Sequence, residues 1–215
     1  MQGSILFSSR KDAAKQMIEM LPLSQMKKEN WVILAVTRDG LDIALAIKEK
    51  TALEINIILT EPIMAPNNNE CEIARVSETE EIVIHEGLVK QFRIQNDYIY
   101  GEAHRKHEEK ILSQVYRFRK GEQICDLENK NVLLVDAGAS SGLLIQTAIK
   151  TVMSLGVRHV RVAIPVMPLD LFETVSTQVD EIFSLYKPED FTQTEHYYEE
   201  EESLSDDMVE KLLQF

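Results

Sequence analysis

Asp136 ends an apolar run, residues 132–135, and is followed by Ala137, Gly138, Ala139, Ser140, Ser141 and Gly142. A carboxylate at such a place can accept hydrogen bonds from a sugar hydroxyl or from water on a metal ion. A loop of small residues lets backbone N–H groups approach an anion closely, and a helix opening at its end adds the positive end of its dipole. Residues 143–155 carry apolar side chains at helical spacing, so residues 131–144 predict a buried strand, an anion-cradling loop and a helix. The plainer chemistry of the same residues is a tight turn. In that reading Ser140 or Ser141 only N-caps the helix, and Asp136 accepts the loop's own N–H groups.

A second junction of this kind lies upstream. Residues 31–36 (WVILAV) predict a buried strand, Thr37-Arg38-Asp39-Gly40 a tight loop, and residues 41–49 a helix. This loop carries a cation. The planar guanidinium of Arg38, with its fork of donors, suits a clamp on an anion. Against this, Asp39 or another nearby carboxylate is expected to neutralise Arg38.

The remaining elements must bring these two loops together. Residues 54–60 predict a strand, and a right-handed crossover makes it parallel to the first. Pro62, Pro66 and the Asn67-Asn68-Asn69 tract break the pattern, and residues 72–77 and 81–85 predict a hairpin turning at Thr79-Glu80. Residues 61–96 are thus expected to form a hairpin or hood outside the main sheet. A long charged helix over 98–119, closed by Gly121, is expected to pair Glu102 with Lys106. Residues 160–166 and 181–186 predict two more strands, separated by a short helix beginning after Pro168. Near the start, residues 12–21 predict an amphipathic helix with Asp12 as its N-cap, and residues 206–213 predict another after an acidic run. Alternation of this kind predicts one α/β domain with a doubly wound, mostly parallel sheet. Ligands of such sheets bind outside the strands' carboxyl ends, where both loops lie.

Composition removes several function classes. The chain has 215 residues and a formal net charge of −13, which argues against non-specific nucleic-acid binding. No apolar run approaches the length of a membrane-spanning helix, so no membrane partner is expected, and a cytoplasmic location follows. Cys71 and Cys125 match no metal-ligand spacing and read as packing residues or free thiols. His104, His107 and Glu108 form an H-x-x-H-E string, but a solvated helix face explains it better than a metal site, and no metal ligands are assigned.

The order of elements and several local patterns resemble the type I phosphoribosyltransferases, in particular a branch of roughly this length. In that family a strand ends in two acidic residues and a Thr-Gly-x-Thr loop cradles the 5′-phosphate of phosphoribosyl pyrophosphate. VLLVDAGASSGLL, residues 132–144, stands in that place here. VILAVTRDG, residues 32–40, resembles the strand and Pro-Arg-Gly-Gly loop that hold pyrophosphate. APNNNECEIARV, residues 65–76, resembles an Ala-Pro-x-x-x-Glu loop and hairpin. Phe7, Arg10 and Ala13 match the branch's opening, and Pro188, Asp190, Phe191 and Tyr197-Tyr198 its close.

The resemblance implies a phosphorylated ribose ligand, either phosphoribosyl pyrophosphate or a nucleotide. Asp136, Ala139, Ser140, Ser141 and Gly142 would contact it, with Arg38 and Gly40 at the pyrophosphate. It also implies magnesium bridging pyrophosphate and ribose hydroxyls, transfer of the phosphoribosyl group to a nitrogenous base, and a homodimer. The departures fall on the chemistry. Ala137 stands where the second carboxylate belongs, Leu144 where the second threonine does, Pro62 where a lysine is frequent, and Asp39 where a glycine does. A carboxylate about 4 Å from a pyrophosphate oxygen would cost on the order of 1–4 kcal/mol. These substitutions support an alternative, a catalytically inactive relative that senses a nucleotide or phosphosugar or serves as an interaction module.

Overall fold

The computed structural model describes residues 5–139, 142–200 and 204–213. Helices α1 (Arg10–Met20) and α2 (Leu23–Lys28) lead into strand β1 (Val32–Ala35), helix α3 (Gly40–Thr51) and strand β2 (Ile55–Ile57). Strands β3 (Thr60–Ala65), β4 (Asn68–Ser77) and β5 (Ile82–Ile84) follow, then helix α4 (Glu86–Gln91). A long helical stretch joins α5 (Asn96–Lys106), a π-helical segment (His107–Ile111) and α6 (Leu112–Arg119). The chain continues through β6 (Asn131–Val135), α7 (Gly142–Ser154), β7 (His159–Ala163), α8 (Leu169–Ser176), β8 (Glu181–Phe183) and α9 (Asp206–Leu213).

Five strands form a wholly parallel sheet in the order β2-β1-β6-β7-β8. The period-two geometry of a strand divides their side chains between two helical layers. Val32, Leu34, Val132 and Leu134 face α7 and α8, whereas Ile33, Ala35, Leu133 and Val135 face α1, α2 and α3. Burial on both faces explains why these strands read as continuous apolar runs. The strand order reverses between β1 and β6, so the loops leaving those two strands diverge to opposite faces and leave a crevice between them.

The expected hairpin is a three-stranded antiparallel sheet, β3-β4-β5. The strand predicted over 54–60 stops at Ile57 because its backbone changes partners. The Ile58 amide still bonds Ala35, but Leu59 exchanges bonds with Glu78, through its side chain at 2.9 Å and its backbone amide at 2.9 Å. Pro62 therefore lies in a strand rather than a loop, tolerated because β3 is an edge. The Glu78 side chain is buried and pairs with Arg119 of α6. His107 contacts the Glu78 carbonyl at 3.1 Å, so this histidine is a buried anchor of the hood and not part of a solvated face. The local π-helical widening is where the long helix adjusts to that contact.

Three local expectations shift. Ser9, not Asp12, caps α1, accepting from the Asp12 amide at 3.2 Å, while Asp12 reaches back to the Ser8 amide at 3.1 Å. Lys120 takes the left-handed cap conformation at φ 54°, with Gly121 one residue beyond. Glu102 pairs with Arg105 at 2.7 Å, and Lys106 reaches Glu61 at 3.6 Å instead.

Gly40 fixes how closely α3 approaches β6. A Cβ at residue 40 would lie 2.5 Å from the Val135 carbonyl oxygen and 3.0 Å from the Asp136 Cα. Both are backbone atoms and cannot swing away. The substitution Gly40→Ala is therefore expected to destabilise the protein by about 1–3 kcal/mol in urea unfolding, although alanine is the better helix former. An unchanged unfolding midpoint would contradict the close packing of these two elements.

Candidate functional site

At the strand-order reversal the two loops are tied by side chains. The Thr37 hydroxyl donates to Asp136 Oδ1 and accepts from the Gly40 amide at 3.2 Å. The same Oδ1 accepts from the Ala137 amide at 2.7 Å, and Asp136 is only 2% exposed. As placed, this carboxylate oxygen serves the two loops themselves. Thr37, which sequence reasoning passed over as a loop residue, is the link between them.

The next residues are covered by the chain's own C-terminal segment. Ala137 packs in an apolar cluster with Phe7, Ala13, Val166, Tyr197 and Tyr198. The Tyr198 hydroxyl donates to the Ala137 carbonyl at 2.5 Å. Thr194 occupies the space a side chain at Gly138 would need, since a Cβ there would lie 2.3 Å from its methyl carbon. The Ala139 amide donates to the Val166 carbonyl at 3.1 Å, and the residue is buried. Ser140 and Ser141 lie outside the described residues. Gly142 opens α7 and is half-buried, as is Leu144. An anion approaching this loop would therefore meet the helix end rather than the strand end.

Between the two loops, the hood and α6 lies a cleft of about 280 Å³. Thr37, Arg38, Thr60, Arg75, Gln114 and Leu144 are among its lining residues. Arg75 bonds Glu72 at 2.7 Å and Thr60 at 3.0 Å, and Gln114 donates to Glu61 at 2.9 Å. Arg38 is not neutralised by its neighbour Asp39. It pairs with Asp206 of α9, while Asp39 pairs with Arg10 at 2.9 Å. No local pattern in the sequence signals either partner, because each lies more than a helix away along the chain.

No family model matches the chain. Over 204 residues, 95% of its length, it is 23% identical to the Mycobacterium tuberculosis protein named "Putative phosphoribosyl transferase Rv0571c". It spans 45% of that protein's length. Among solved structures, TT1426 from Thermus thermophilus is similar along 97% of both chains, with a TM-score of 0.77 and 26% identity. Along nearly its whole length the chain is thus similar to a protein named a putative phosphoribosyl transferase, in keeping with the sequence resemblance. Its parallel sheet with an antiparallel hood is the fold that the sequence resemblance implied.

Compared with the type I phosphoribosyltransferase pattern, the departures now have a structural setting. An aspartate at residue 137 would place a carboxylate among Phe7, Ala13 and the two tyrosines, where desolvation is costly. Asp39 adds less negative charge to the loop after β1 than its position suggests, since Arg10 holds it. Magnesium, which the resemblance implies, finds a poor protein site. Asp136 is sealed from the cleft, and among the described residues no group of three His, Cys, Asp or Glu is placed to hold a metal ion. Magnesium carried mainly by a ligand's phosphates needs no such group. Cys71 and Cys125 are free thiols, and burial pushes the Cys125 thiol up to about 11. Among the described residues no helix is long and apolar enough to cross a membrane.

Burial pushes Asp136 up from 3.8 to about 7, against the hydrogen bonds from Thr37 and Ala137, and the nearby Asp39 adds to the rise. The folded state therefore keeps a proton that the unfolded chain releases between pH 4 and 7. Stability from this group is full below about pH 4 and is lost as pH rises through 7, by on the order of 4 kcal/mol. Asp136→Asn keeps the Oδ1 acceptor without the charge. Its melting temperature, relative to the parent protein's, is expected to climb between pH 5 and pH 8. A difference that stays flat with pH would contradict the burial of an ionisable carboxyl here.

Proposed function

We propose that the cleft binds the phosphorylated ribose of phosphoribosyl pyrophosphate or of a nucleotide. The 5′-phosphate would meet the N-terminal turn of α7 at Gly142, and the pyrophosphate would lie toward Arg38 and Gly40. The observation that carries this reading is the reversal of strand order between β1 and β6, beside which both loops emerge. The names of the relatives support phosphoribosyl transfer as the reaction. In that reaction a lone pair on the acceptor's nitrogen forms a bond to ribose C1. The bond from C1 to the pyrophosphate oxygen breaks, and pyrophosphate leaves with the electron pair. The proton on the acceptor nitrogen passes to solvent.

Arg38 would stabilise charge gathering on the leaving group, and the α7 dipole would hold the phosphate while the ring moves. The hood, anchored by Glu78 and Arg119, would limit water at C1. Magnesium would enter as the ligand's counter-ion. The sealed state of Asp136 and Ala137 favours a second reading, in which the same ligand is bound and not transferred, because neither residue offers a carboxylate to the ribose hydroxyls.

Titration calorimetry with phosphoribosyl pyrophosphate and with ribose 5-phosphate tests the proposal. Both should bind the parent protein, and Gly142→Asp should weaken both by at least about tenfold by placing a carboxylate where the phosphate sits. Among the described residues, a Cβ at residue 142 meets the Leu171 side chain, at 3.4 Å, and the far end of Gln146, at 4.0 Å, so the fold should survive. Equal affinities in the two proteins would refute the α7 site. Pyrophosphate release against a panel of nitrogenous bases then separates transferase from sensor.

A further inference from the structure

Arg38 follows β1 and Arg117 lies in α6, yet their guanidinium carbons stand 5.8 and 5.9 Å from the centroid of one ring, Phe118. Both guanidiniums bond the same carboxylate, that of Asp206 at the first turn of α9. Arg117 also meets Asp207 at 3.1 Å and Glu210 at 4.0 Å, so one helix end brings three carboxylates to one pair of cations. Val209 of α9, fully buried in the core beneath, holds the helix in place. Phe118 and Arg38 also line the cleft.

We propose that Arg38 and Arg117 form a two-arginine site for a diphosphate group, and that Asp206 is its internal occupant, displaced when a diphosphate binds. The proposal rests on reading the cleft as a phosphoribosyl site, and it adds both the second cation and the competitor. Planar guanidiniums accept a carboxylate or a phosphate in the same two-pronged geometry. A diphosphate brings more charge and more acceptor oxygens than a single carboxylate. The Arg38, Arg117 and Asp206 side chains are 44%, 43% and 31% exposed, so water screens their pairing and an exchange of anions is not prevented by burial. Because Asp207 and Glu210 would repel an incoming diphosphate, its binding requires the α9 end to lift and not merely Asp206 to rotate. The protein would then bind diphosphate only in the fraction of molecules with α9 released.

The test uses the full chain, with inorganic pyrophosphate and ribose 5-phosphate as separate probes in calorimetry. Asp206→Asn is expected to bind pyrophosphate about tenfold more tightly than the parent protein. Ribose 5-phosphate affinity should not change. Adding Arg117→Gln to that variant should abolish the gain. In the parent protein, pyrophosphate should speed hydrogen exchange of the amides in residues 206–213, a readout that does not depend on any variant folding. Equal pyrophosphate affinity in parent and Asp206→Asn, including no binding by either, overturns the proposal, as does unchanged exchange in α9. Failure of ribose 5-phosphate to bind the parent protein refutes the phosphoribosyl reading instead, and so is distinguishable.

Discussion

The Asp136 carboxylate, shut between two loops and held by a hydroxyl and an amide, is the constraint around which the edge of the sheet is arranged. An ionisable group this deeply buried is tolerated only where hydrogen bonds meet it. Thr37 supplies one, and to do so the loop after β1 must lie directly against the end of β6. That contact requires α3 to begin at a residue without a side chain, which is Gly40. From these few atoms follow the approach of α3, the position of Arg38 beside the start of α7, and the crevice between them.

Around that edge the cations are answered from within the chain. Arg10 has Asp39, Arg75 has Glu72, Arg119 has Glu78, and Arg38 and Arg117 have Asp206. A chain with a net charge of −13 can satisfy its arginines in this way, and an anion can then reach an arginine only where such a pairing gives way. The pairs differ in this respect. Glu78 and Arg119 are both 5% exposed and hold the hood, whereas the Arg38 and Asp206 side chains lie half in water. Exposed ion pairs are worth little each, so the second kind can yield to a better anion while the first cannot.

The parallel sheet was legible because strands buried on both faces announce themselves as apolar runs, as residues 32–35 and 132–135 do. The hood was only half legible. Glu78 ends the β2 strand early by offering Leu59 new partners, and no local pattern encodes a contact between residues so far apart. His107 misled for the same reason, since its charged neighbours on the helix conceal that its own face is buried against Glu78. At the site, the strand–loop–helix junctions and Arg38 stood out from residue types alone. Thr37, Thr194 and Asp206 did not, because their importance comes from what they touch across the fold. Tyr198 was visible only as part of the resemblance, without its role of sealing the loop at Ala137.

The central claim is that a phosphorylated ribose sits at the crevice with its phosphate on the first turn of α7. A crystal structure of the protein with ribose 5-phosphate tests this most directly. The account predicts the phosphate within hydrogen-bond reach of the backbone amides around Gly142, with the ribose directed toward Arg38. A phosphate seated instead among Lys11, Lys15, Lys50 and Lys211, in the groove between α1, α3 and α9, would contradict it.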